Sequence, residues 1–125
     1  MLVDTDVLVW YMRGNEKAKR AIRNLTRFSI SVVTYIELIQ GLRNKEELNV
    51  LRNSLKGWNA DIIYINEEIS TKSMFLVEQY FLSHSLQLAD ALIGATSMIY
   101  GLPLLTANTE HYKTIKNIIL KKFRP

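Results

Sequence analysis

Two aspartates close the first apolar run of this 125-residue chain, where MLVDTDVLVW sets Asp4 and Asp6 on either side of Thr5. A carboxylate at the end of a hydrophobic strand loses its hydration unless hydrogen bonds or a cation replace it. A helix cap, a nucleophile–acid pair and a metal site all answer that need. Other acids occupy comparable settings. Glu37 stands in SVVTYIELIQG, one turn after Thr34, and Asp90 stands in LQLADALIGA among Leu88, Ala89, Ala91, Leu92 and Ile93. Near the end, LLTANTEHY follows a short apolar run with Thr106, Asn108, Thr109, Glu110 and His111.

Each acid also has a local explanation. Asp4, Asp6 or Thr5 can cap the segment that follows. Glu37 fits a capping box begun by Thr34. Asp90 falls in the first turns of its helix, where the dipole favours it, though its apolar neighbours stay unexplained. What links these acids is their shared setting. Converging carboxylates repel one another, so a positive charge must offset them or their pKa values rise. Oxygen donors of this kind suit Mg²⁺ or Mn²⁺, which activate water and stabilise phosphoryl transition states.

Other chemistries lack their residues. The chain has no cysteine, which excludes disulfides, thiolate metal sites and cysteine nucleophiles. Its two histidines, His84 and His111, do not have HExxH spacing, and no Ser-His-Asp array is evident. Neither GxGxxG nor GxxxxGK[ST] occurs. His84 reads as a helix-end or loop residue, while His111 borders the polar loop. Trp10, Tyr11, Phe28, Trp58 and Phe81 read as core or partner-contact aromatics.

The elements that must position the acids alternate in type. Met1–Asp4 reads as a short buried strand, and VLVWYMRG continues as a helix or irregular turn to Gly14. Asn15 is placed to cap a helix carrying Ala18, Ile22 and Leu25 on one face. FSISVV (28–33) has the composition of a strand, and Thr34 is the expected cap of the helix that follows. Lys45–Lys56 predicts a helix ending near Gly57, and ADIIYI (60–65) a third strand. Asn66 or Glu67 opens a helix over roughly Ile69–Ser83, and Ser85 is a candidate cap for LQLADALIGATSMIY. Gly101 and Pro103 end that helix. LPLLTAN predicts a fourth strand, HYKTIKNI a helix or irregular segment, and IIL (118–120) a last strand or edge. The alternation predicts a small α/β sandwich with a mainly parallel sheet, in which ligand sites lie beyond the carboxyl ends of the strands. Asp4, Asp6, the Thr34–Glu37 turn and TANTE then share one rim.

The length suits one domain over 1–125. Of the residues, 48% are hydrophobic and 22% charged, an ordinary globular balance without repeats or low-complexity runs. The formal net charge of +4 comes from sixteen Lys and Arg against twelve acids, gathered in KAKRAIRNLTR (17–27) and KTIKNIILKKFRP (113–125). Such a surplus serves solubility and also favours an anionic partner such as nucleic acid. No apolar stretch approaches a membrane span and no signal-peptide pattern opens the chain, so a cytoplasmic location is expected.

Taken in order, these motifs resemble the PIN-domain family of the VapC type, the toxin ribonucleases of type II toxin–antitoxin pairs. LVDTDVLVW resembles the opening motif, a hydrophobic strand followed by D-T-[ND]-V-L. SVVTYIELIQG resembles the second, with a glutamate at helical spacing after Ser or Thr. LQLADALIGATSMIYGLPLLTAN resembles the third and fourth, D-x-x-I-x-A followed by G-x-x-L-x-T-x-[ND]. The resemblance covers nearly the whole chain. It implies a PIN-like three-layer α/β/α sandwich with a short, mainly parallel central sheet.

It also implies a Mg²⁺- or Mn²⁺-dependent endoribonuclease that leaves a 5′-phosphate and a 3′-hydroxyl. By motif, Asp4, Glu37 and Asp90 match the catalytic, metal-site acids, and Asp6 stands where the family has Asn or Asp. Thr5 and Thr34 match hydroxyls that orient the carboxylates, and Thr106 matches the hydroxyl before the last site position. That last position departs from the pattern, because many relatives have Asp where this chain has the neutral Asn108. Asn108 through its carbonyl, Glu110 or Asp6 are the candidates to complete the site. The resemblance further implies a homodimer, RNA as substrate, and a cognate antitoxin that contacts DNA on the pair's behalf, with no membrane role.

Three other readings remain open on the residues. The first is a PIN-fold nuclease of RNA processing. The second is a binding module of the same fold with a degenerate metal site, which the neutral Asn108 favours. The third is an aspartyl-phosphate phosphatase, since DTDV also fits D-x-D-x-[TV], with Asp4 as nucleophile and Asp6 as general acid–base. TANTEHY is a poor version of the late acidic pair that chemistry needs, and it leaves Glu37 and Asp90 unused.

Overall fold

The computed structural model describes residues 1–82 and 86–125. The expected roles of His84 and Ser85 lie outside the described residues. Five strands form one sheet: β1 (Leu2–Val3), β2 (Phe28–Ser31), β3 (Ala60–Ile63), β4 (Leu104–Thr106) and β5 (Leu120–Lys122). Their order is β3-β2-β1-β4-β5, and every pairing is parallel. Seven helices are described: α1 (Thr5–Met12), α2 (Glu16–Arg23), α3 (Val32–Gln40), α4 (Lys45–Gly57), α5 (Glu67–Tyr80), α6 (Leu88–Tyr100) and α7 (Thr109–Tyr112). The result is the α/β/α sandwich with a parallel central sheet.

Alternation along the strands divides the core in two, because successive side chains point to opposite faces. Val3, Phe28 and Ile30 pack with Val7, Leu8, Ala18, Ile22, Leu38, Leu51 and Phe123 on one face. Leu2 and Leu104 pack with Ile69, Leu76, Ile93, Tyr112 and Ile115 on the other. A sheet covered on both faces needs strands that are apolar on both, as LV and LL are.

The chain moves from β1 to β2 and β3 on one side, then places β4 and β5 on the other. The switch point is therefore between β1 and β4, where open parallel sheets leave a crevice at the carboxyl ends. Asp4 follows β1 directly and Thr106 ends β4.

Several boundaries differ from the sequence expectation: β1 spans only Leu2–Val3, and β3 ends at Ile63 rather than Ile65. β2 ends at Ser31 rather than running through Val33, and the buried Ser31 hydroxyl accepts the Val33 N–H at 3.1 Å, capping α3. Thr34 is thus not the cap. It lies inside the helix, fully buried, one turn from Glu37. The β-branched Val32 and Val33 carry a strand signal, but the serine oxygen supplies an early partner for an orphan helix N–H. The last strand sits later than IIL (118–120), at Leu120–Lys122, after a left-handed Asn117 at φ 71°. The expected Asn15 cap is present, and of the two residues expected to open α5 it is Asn66 that caps it; they accept the N–H groups of Ala18 and Ile69 at 2.9 Å each.

Candidate active site at the carboxyl edge of the sheet

Asp4 lies at the bottom of the site, only 5% exposed. It caps α1 through Oδ1, which accepts the Thr5 N–H at 2.8 Å. Oδ2 accepts two hydroxyls, Thr106 Oγ1 at 2.8 Å and Tyr112 Oη at 3.1 Å. The cap and the site are therefore one residue, each oxygen serving a different purpose. Burial, and then the charge of Asp6, push its carboxyl up to about 6 against the pull of these three donors.

Asp6 is the second carboxylate. Its Oδ2 accepts the Ala107 N–H at 3.0 Å and approaches Thr106 Oγ1 at 3.4 Å. Burial pushes its carboxyl up, opposed first by the Ala107 bond. The N–H dipoles of Val7 and Asn108 also favour its charged form, yet the buried Oδ1 makes no hydrogen bond. An unpartnered buried carboxylate oxygen beside a second carboxylate is a costly arrangement in the absence of a cation.

Glu37 reaches the same rim from α3. Thr5 Oγ1 donates to its Oε1 at 2.7 Å and lies 2.9 Å from Thr34 Oγ1. A hydroxyl has one proton, so with both bonds formed the relay runs from Thr34 to Thr5 to Glu37. This replaces the capping-box role: the Glu37 carboxylate is held by a threonine 32 positions away. Asp90, in the first turn of α6, accepts the Gln87 N–H at 3.3 Å, and its Oδ1 lies 3.6 Å from His111 Nδ1. Its charge is also felt at the Tyr112 hydroxyl, alongside those of Asp4 and Asp6.

The polar loop after β4 divides its residues. Asn108 is exposed; its backbone N–H donates to Thr106 Oγ1 at 3.0 Å, which helps aim that hydroxyl at Asp4. Glu110 ion-pairs with Lys113 on the exposed side of α7, which lowers its pKa, and no described hydrogen bond ties it to the other acids.

Tyr112 is the site residue that sequence reasoning missed. It is 1% exposed, and burial followed by the Asp4 charge raises its pKa, so it acts as a neutral donor. Its polar tip in an otherwise core-like position was the available signal, since a buried tyrosine hydroxyl needs a partner.

Among the described residues, no group of three or more His, Asp or Glu side chains is closely enough set to enclose a metal ion. The donor set nonetheless fits a hard cation. Asp6 Oδ1 is buried without a partner and the neighbouring Asp4 is raised, both of which a positive charge would relieve.

A family model described as PIN domain matches residues 1–117. The chain is 31% identical over 125 residues to ribonuclease VapC1 of Methanocaldococcus jannaschii, covering 97% of this chain and 85% of that one. It is similar, with TM-score 0.77 and 28% identity over 98% of each chain, to a chain of a toxin–antitoxin complex from Klebsiella pneumoniae. A chain of the DNA-bound VapBC of Salmonella typhimurium shares the fold, with TM-score 0.85 at 18% identity over 97% of this chain and 96% of that one.

Proposed function

The chain belongs to the PIN-domain, VapC-type toxin–antitoxin family, and from that premise we propose that it is a Mg²⁺- or Mn²⁺-dependent endoribonuclease, the toxin of such a pair. One observation carries the proposal: buried Asp4, raised to about 6, sits beside Asp6 with a buried oxygen that lacks a partner. Structural stability alone gives no reason to keep two such carboxylates together.

Asp4 and Asp6 would hold the ion, with Glu37 and Asp90 facing it from α3 and α6. When bound, it would supply the charge that lowers the pKa of an attacking water and stabilises the phosphoryl group. The chain's own residues do the positioning. Thr106 and Tyr112 hold Asp4 Oδ2, so the carboxylate cannot rotate freely. Ala107 orients Asp6, and Thr5 aims Glu37 at the rim, where a carboxylate can accept a proton from water. In-line attack on the scissile phosphate then leaves a 5′-phosphate and a 3′-hydroxyl.

The family relationship supports a cognate antitoxin as partner, a homodimer and a cytoplasmic setting. Among the described residues, no helix is long and apolar enough to cross a membrane. A groove of about 550 Å³ that Glu37 helps to line, with Val9, Met12, Leu42, Arg13 and Arg43, offers an antitoxin segment a mixed apolar and charged bed.

The test combines calorimetry and cleavage. Mg²⁺ or Mn²⁺ should bind the wild type, and labelled RNA should be cut only with metal present, yielding 5′-phosphorylated ends. The neutral Asn108 and the open spacing of the acids favour a second reading, a binding module with a degenerate site. Absence of metal binding in a folded protein would establish that second reading instead.

A further inference from the structure

The two basic runs of the sequence meet in space. Lys17 and Arg20 of α2 and Lys122 and Arg124 at the end of β5 line one shallow groove of about 300 Å³, floored by Leu105 and Phe123. All four cations are exposed, and among the described residues none is in an ion pair. Of the nearby acids, Glu16 pairs with Lys19 and Glu110 with Lys113, although the Lys122 charge also contributes to the lowered Glu110 pKa.

The groove adjoins the carboxylate rim through the backbone. Lys122 stands in register beside Thr106, and the Phe123 N–H donates to the Thr106 carbonyl at 2.8 Å. The Asp4 N–H donates to the Leu105 carbonyl at 2.9 Å. Protection of an exposed sheet edge explains lysines on β5. It does not explain Lys17 and Arg20, which come from a helix on the other wall.

We propose that this groove binds the phosphate backbone of single-stranded RNA next to the scissile bond, an inference that rests on the ribonuclease reading. Unpaired cations beside a site for phosphodiester chemistry hold the chain where the strand must run. The Phe123 ring is 5% exposed and offers no stacking face, so the groove positions the strand without choosing its bases.

The test is anisotropy of a short fluorescein-labelled single-stranded RNA in EDTA, over a salt series, with cleavage measured separately. Lys17→Ala/Arg20→Ala should raise Kd roughly tenfold at about 0.1 M salt and lower the log–log salt slope by roughly 1.4. Lys122→Ala/Arg124→Ala, on the opposite wall, should do the same. The equally charged control Lys45→Ala/Arg52→Ala on α4 should change Kd less than about twofold. Mg²⁺ affinity should match the wild type in all three. Equal losses in groove and control variants would overturn the proposal, reducing it to net charge. So would unchanged RNA affinity in both groove variants, which would assign the cations to an acidic protein partner. A wild type that binds RNA through the groove but never cuts it would instead overturn the ribonuclease reading alone.

Discussion

At the residue scale, Asp4 has two opposed effects. Its hydrogen bonds to Thr5, Thr106 and Tyr112 hold the polypeptide together, while its buried charge strains it. Because its folded-state pKa is raised from 3.8 to about 6, the folded form binds the proton more tightly than the unfolded form. The protonated group therefore favours folding below 3.8, and this contribution is lost as pH rises through about 6. The difference corresponds to about 3 kcal/mol. In EDTA, denaturant melts of wild type and Asp4→Asn between pH 4 and 7.5 (roughly the window set by the shift) should diverge, the wild type losing more stability. Identical pH profiles would contradict the buried carboxylate. The same Asp4→Asn variant should remain folded, by circular dichroism, yet lose metal-dependent RNA cleavage. Undiminished cleavage would remove Asp4 from the mechanism. Thr106→Val leaves the Asn108 N–H and Asp4 Oδ2 each short of a partner and should cost about 1–3 kcal/mol in urea unfolding.

At the element scale, α3 and α6 carry their acids to the rim by different means. Ser31 starts α3 three residues earlier than a Thr34 cap would allow, which sets the turn on which Glu37 meets Thr5. Ser31→Ala should lower unfolding free energy by about 1 kcal/mol and reduce cleavage through Glu37 misplacement. In α6, Gly94 lies under α7 and its neighbours. An added Cβ would meet Ile115 Cδ1 at 3.4 Å and Tyr112 Cδ1 at 3.7 Å, which is ordinary contact. Gly94→Ala should thus stabilise the helix by about 0.5–1 kcal/mol, read as a raised melting temperature. A fall instead would mean that Ile115, the nearest side chain at 3.4 Å, cannot accommodate the methyl.

At the scale of the whole molecule, the described surface presents two different faces. One is the basic groove between α2 and β5. The other is apolar: Met74 and Phe75 of α5 are 52% and 54% exposed, and Ile99 and Tyr100 of α6 are 37% and 49% exposed. Phe75 and Ile99 line a common groove of about 570 Å³. These apolar side chains, on a groove that Glu67, Glu68 and Lys72 also line, are where a second copy would pack in the proposed homodimer. Phe75→Glu should shift the molar mass measured by light scattering from dimer toward monomer while leaving the fold intact. A wild type that is monomeric at high concentration would refute that assembly.

The alternation of strands and helices, the Asn15 and Asn66 caps, and the apolar setting of Asp4, Glu37 and Asp90 are all written in short stretches of sequence. Hydrogen bonds within one turn and side-chain periodicities of two or 3.6 are local, so they survive being read without coordinates. The motif order through LVDTDVLVW, SVVTYIELIQG and LQLADALIGA likewise needed no coordinates to indicate the fold. The site's supports were different. Tyr112 reaches Asp4 across 108 positions, Ala107 holds Asp6 across 101, and Lys17 and Lys122 line one groove only through the tertiary fold. Glu110 looked like a replacement acid by spacing, yet Lys113 one turn later holds it on the exposed side of α7. These outcomes follow from strand order, and strand order follows from burying both faces of a sheet at once. That condition involves the whole chain, so only the tertiary structure decided which distant donor meets which carboxylate.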